Sequence, residues 1–133
     1  MFIRFVRQNR LGGSSAREGF LCAAYELRND PLLNENSKAQ LEELLEWFQV
    51  NLKIPKRFSK SKSKCYNRRE FTAGLSWFRD DASKMLEKAF EMAALLCEHG
   101  YLIDVLRTDR VGYIVYDDNE QVVAEPFSDT QTW

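Results

Sequence analysis

The chain has 133 residues, 44% of them apolar and 29% charged, with a net charge of −1. This is one domain's worth of sequence, able to bury a core without disulfides or a metal, and it has no apolar run long enough to span a membrane. Cys22, Cys65 and Cys97 are odd in number and scattered, with no C-x-x-C pair, which fits reduced thiols better than a secreted disulfide framework. The expectation is a single cytoplasmic domain over 1–133, without a signal peptide, because residues 2–7 are short, carry two arginines and lack a cleavage site.

The chain opens with Phe2, Ile3, Phe5 and Val6, β-formers that point both ways and predict an interior strand over 2–7. Leu11-Gly12-Gly13-Ser14 reads as a turn. Ser15 followed by Glu18 forms a capping box for a helix over about 16–29, ended by Asp30-Pro31. A second helix, about 37–53, starts at a second capping pattern, Ser37 with Gln40. Its Leu41, Leu44, Leu45, Phe48 and Leu52 keep helical spacing, and Ile54-Pro55 stops it. Residues 55–70 lack apolar periodicity and read as a solvated loop.

Ser76 to His99 reads as one long amphipathic helix. Phe78, Ala82, Met85, Ala89, Met92, Ala93 and Leu96 lie on one face, and Gly100 provides the stop. Beyond it the period falls to two, and three strands are expected at Tyr101–Thr108, Val111–Tyr116 and Gln121–Glu125. Short polar connections at Thr108-Asp109-Arg110 and Asp117-Asp118-Asn119 suit hairpins. The fold expected is α+β in the order β-α-α-α-β-β-β, with three helices on one face of a mainly antiparallel sheet of about four strands.

Charge is unevenly spread. Residues 56–69 hold Lys56, Arg57, Lys60, Lys62, Lys64, Arg68 and Arg69 and no acid, so a chain of net −1 carries +7 there and −8 elsewhere. Phe58, Tyr66, Phe71 and Trp77 sit in or beside the segment. Cations interleaved with aromatic rings can hold a polyanion, the cations on phosphates and the rings on bases. A solvated run of charge is the plainer explanation of the same residues. On the long helix Trp77 falls with Leu95 on the otherwise charged side, where an exposed indole would anchor a partner. A later start of that helix, or a loop folded over the ring, would remove the anchor.

Other patterns carry less. Cys65 and His99, the sole histidine, would lie at opposite ends of the long helix, too far apart for a nucleophile and its base. Ser61-x-x-Lys64 falls in a Ser/Lys alternation and lacks the companion elements of penicillin-recognising enzymes. Gly12-Gly13-Ser14-Ser15 matches no phosphate-loop pattern. One histidine without a cysteine pair leaves no ordinary zinc set. Asp117, Asp118 and Glu120 are what a hairpin turn wants.

The segment from Arg107 through Asp118, followed by Gln121 through Phe127, resembles the ending of a group of small uncharacterised bacterial proteins, and Ser76-Trp77-Phe78-Arg79 with the helix after it fits the same pattern. The resemblance implies a stand-alone bacterial domain and no activity, so it assigns no site residue.

The expected function is a non-enzymatic binding module with no cofactor, metal or membrane partner. It holds a nucleic acid or an acidic protein surface through Lys56, Arg57, Lys60, Lys62, Lys64, Tyr66, Arg68 and Arg69, with Trp77 beside them. The alternative is a protein–protein regulator or inhibitor working through Trp77 or the acidic meander (Asp117, Asp118, Glu120, Glu125). An enzyme is a third reading, without a cluster of acid, base and nucleophile behind it. Self-association through an open sheet edge is a further expectation.

Overall fold

A computed structural model describes residues 1–10, 16–53 and 74–132. Among them the order is β1 (Phe2–Arg10), β2 (Arg17–Gly19), α1 (Phe20–Arg28), α2 (Glu35–Asn51), β3 (Leu75–Arg79), α3 (Ser83–Glu98), β4 (Asp104–Thr108), β5 (Tyr113–Asp117) and β6 (Gln121–Glu125). The architecture is α+β as expected, but the antiparallel sheet has six strands rather than about four. The turn expected at 11–14 and the loop expected at 55–70 lie outside the described residues.

Strand β1 is the interior strand its composition predicts. Phe2 pairs with both Arg79 of β3 and Thr108 of β4, and Val6 with both Gly19 of β2 and Asp104 of β4. A residue has only two edges, so β4 takes one side of β1 while β3 and β2 follow each other along the other. Beyond β3 come β6 and then β5.

Two added strands come from residues expected to be helical. Arg17–Gly19 pairs with β1, so α1 begins at Phe20 behind Gly19, with no side-chain cap; the Ser15–Glu18 capping box is not what starts it. Ser76–Arg79 belongs to β3 instead of opening the long helix, which begins at Ser83. Tertiary pairing outweighs local periodicity here. Ser76 to Phe78 finds ladder partners on β6, with β1 on the other side at Phe78 and Arg79, whereas one more turn on an existing helix gains one hydrogen bond per residue. The α2 cap also moves, since the Asn34 carboxamide oxygen accepts the Ser37 N–H at 2.8 Å.

The expected three-strand meander is likewise corrected. Of the three strands after α3, β5 and β6 form a hairpin. Strand β4 pairs with β1, leaving Thr108 to Gly112 to carry the chain from one side of the sheet to the other. Gly112 is required on that path. Its φ is +116°, and a Cβ there would stand 2.1 Å from the Glu125 carbonyl oxygen. Gly100 ends α3 as expected: at φ +91° it lets Tyr101 N–H reach the Leu96 carbonyl at 2.9 Å while its own N–H reaches Cys97 at 3.1 Å.

The sheet has two working faces. Ile3, Phe5 and Phe78 face the helices, where Phe20, Leu27, Leu41, Leu44, Phe48, Met85, Met92 and Leu96 complete the larger core. Phe5 is its hub, with ring centroids 5.4 Å from Phe20, 6.1 Å from Phe78 and 4.9 Å from Phe90. Such edge and tilted contacts contribute about 0.5–1.5 kcal/mol each beyond the area they bury. The opposite face carries a smaller core of Val6, Leu75, Trp77, Leu106, Val122 and Ala124, joined by Ala16 and Val111. Beside it the C-terminal stretch is tied down where Arg17 N–H donates to the Thr132 carbonyl at 2.9 Å; Thr130 and Thr132 are buried.

Candidate functional site

Of the residues expected to bind an anion, Lys56, Arg57, Lys60, Lys62, Lys64, Tyr66, Arg68 and Arg69 lie outside the described residues, as does Cys65. Trp77 is described, and it is not an exposed anchor: it is 0% exposed in the middle of β3. Strand alternation explains this. Leu75, Trp77 and Arg79 share the face away from the helices, and Trp77 lies opposite Val122 of β6. Leu95, grouped with it on a charged helical side, is also buried and belongs to the helix-side core. His99 meets Ser37 Oγ at 3.1 Å, pinning the end of α3 to the first turn of α2.

The acidic residues of the β5–β6 hairpin divide between structural tasks. Asp118 accepts the backbone N–H groups of Glu120 and Gln121 and the Tyr116 hydroxyl, all at 2.8 Å. Burial pushes the Asp118 carboxyl up, but these three donors outweigh it and hold the group below the usual carboxylate range; the same contact raises the Tyr116 phenol. Asp118 is therefore a turn residue. Asp117 pairs with Arg79 at 3.4 Å, while Glu120 points to solvent. Among the described residues no group of three or more His, Cys, Asp or Glu side chains is placed to hold a metal, and no helix is long and apolar enough to cross a membrane.

A polar cluster joins β1, α1 and the segment after α3, parts of the chain that no pattern in the sequence connects. Arg7 donates to Glu26 at 2.9 Å, Tyr101 donates to the other oxygen of Glu26 at 3.1 Å, and the Arg7 guanidinium sits 5.3 Å from the centre of the Tyr101 ring. The Arg7 hydrogen bond, seconded by Tyr101, holds the Glu26 carboxyl below its ordinary value. Nearby Arg17 donates to Asp104 at 2.7 Å. These groups satisfy one another and brace β1, α1 and the start of β4. On the outer surface α2 and α3 leave an open groove of about 320 Å³ lined by Glu43, Leu44, Glu46, Trp47, Val50, Asn51 and Lys88.

Among the described residues two buried side-chain donors have no acceptor. Arg4 is 6% exposed on the face away from the helices. Its Nη2 donates to the Arg17 carbonyl at 2.7 Å, but Nη1 is buried without an acceptor. The Trp77 indole Nε1 is buried without one too. Burial pushes the Arg4 guanidinium down to about 10, with the Cys22 thiol opposing that shift and Arg17 adding to it. Nothing in the sequence singles out Arg4; alternation assigns it to a face, but only the packing shows that face to be closed.

Fold and site together define an α+β domain with a two-faced antiparallel sheet and two orphaned donors on its smaller face. No family model matches the chain, and no match is found among curated proteins or solved structures.

Proposed function

We propose that the chain is a small non-enzymatic binding module, working in a reducing compartment, that holds an anionic partner through the cationic segment 56–69. One observation carries this reading: seven of the nineteen Lys and Arg residues fall within fourteen positions, against −8 in the remainder. The described body supports it by contrast. Arg7, Arg17, Arg79 and Arg110 are each committed to a carboxylate, of Glu26, Asp104, Asp117 and Asp129 respectively. An acidic body weakens long-range attraction to a polyanion, so contact within roughly one Debye length, about 8 Å at physiological salt, has to provide the affinity.

The test is fluorescence anisotropy with two labelled probes, a single-stranded oligonucleotide and a polyglutamate chain. Affinity should fall steeply with salt. Changing Lys60, Lys62 and Lys64 to Glu should flatten the logarithmic salt slope for the oligonucleotide by about 2. The probe retained at higher salt tells a nucleic-acid partner from an acidic protein. Binding indifferent both to salt and to the substitutions would sink the proposal.

A second reading rests on β5. Among the described residues it has only β6 as a neighbour, and Tyr113 and Ile114 are 69% and 51% exposed. A protein partner, or a second copy of the chain, could add a strand there, with Asp117 and Glu120 at the rim. Ile114→Lys would then abolish co-purification of the partner, or dimerisation in light scattering, without altering oligonucleotide binding.

A further inference from the structure

From the two orphaned donors we infer that Arg4 and Trp77 hold a small carboxylate on the sheet face away from the helices, one oxygen on Arg4 Nη1 and the other on Trp77 Nε1. The register brings the two residues to one stretch of the sheet. Phe2 pairs with Arg79 and Ile3 with Phe78; continuing that register by one residue brings Arg4 and Trp77 to neighbouring strands on the same face. Cross-strand neighbours have Cβ atoms roughly 4.5–5.5 Å apart, within reach of both long side chains. Leu106 lies opposite Arg4 on one flank, and Val122 opposite Trp77 on the other.

The chemistry selects the ligand class. A guanidinium closed off from water costs several kcal/mol unless an opposite charge is supplied, and no carboxylate among the described residues pairs with Arg4. A monoanion with two oxygens matches one positive charge and two free donors. Phosphate would bring further oxygens and charge against Leu106, Val122 and Val6, all buried and apolar. A bound water could satisfy the donors but would leave the charge uncompensated.

The experiment follows the indole N–H resonances of the ¹⁵N-labelled full chain, with Trp77 assigned by its loss in Trp77→Phe. Sodium formate and sodium acetate are titrated against sodium chloride and sodium phosphate at equal ionic strength. The Trp77 resonance should shift, or give way to a second peak, saturably in formate or acetate, and not in the two controls. Arg4→Met should abolish the response. Should that variant fail to fold, the carboxylate-dependent rise in Tm serves instead: its half-saturation should move about tenfold higher in Trp77→Phe, the loss of one hydrogen bond. A Trp77 resonance indifferent to carboxylates means that water alone meets the donors, and it overturns the site. So does an equal response in chloride or phosphate, or one that persists in Arg4→Met.

Discussion

The two faces of the sheet solve one packing problem in different ways. Toward the helices, Phe5, Phe20, Phe48 and Phe78 interlock with Met85, Met92 and Leu96, and Gln121, the buried polar residue paired with Phe78 on that face, is answered at both ends of its carboxamide, by the Ser76 hydroxyl and the Lys53 carbonyl. On the opposite face the buried aliphatic residues share their layer with Arg4 and Trp77, of which Arg4 Nη1 and Trp77 Nε1 have no acceptor among the described residues. The first face meets its polar demand from within. The second closes over groups whose burial is unfavourable until something answers them, and that imbalance separates a face that only stabilises from one that can also bind.

Substitutions can break this contrast. The largest effect is expected at Phe5, because its ring touches three others: Phe5→Ala should cost about 3–5 kcal/mol in urea-monitored unfolding. A loss below about 1 kcal/mol would show that the helix-side core is not the dominant one. Gly112→Ala should cost about 2–3 kcal/mol, from the left-handed backbone and the collision with the Glu125 carbonyl. Because Gly112 lies next to Val111 of the smaller core, this change should also raise acrylamide quenching of Trp77 fluorescence, whereas helix-cap changes should not.

Asn34→Ala removes the acceptor for Ser37 N–H and should cost about 1 kcal/mol, on the helix side alone. The smallest effect is expected at Glu26. Its carboxyl sits below the ordinary value of 4.5 in the folded chain, so its stabilising contribution is present above that pH and is lost as pH falls through the folded value. Glu26→Gln should therefore be slightly less stable than wild type at pH 7, by under about 1 kcal/mol because the pair is solvent-screened. The difference should vanish in acid melts; one that persists there would mean that packing, not charge, carries the contact.

Much of the fold was legible where local pattern and final environment agree. The α2 stripe of Leu41, Leu44, Leu45 and Phe48, the α3 stripe from Met85 to Leu96, the Gly100 stop and strand β6 all follow from spacing, since helical or alternating period is itself a record of which side is buried. Legibility failed at Arg17–Gly19 and Leu75–Arg79. There the same residues suit a helix end or a strand, and a distant partner decides between them.

The candidate site divides in the same way. Composition by itself established the charge asymmetry, because counting Lys, Arg, Asp and Glu needs no coordinates. It also established the apolar stripes that commit the chain to helices over a sheet. Only the tertiary structure decided that β4 joins β1 and that Trp77 is interior. The closure of the second face over two free donors was settled there too, because ladder pairing and solvent exclusion are relations between residues far apart along the chain.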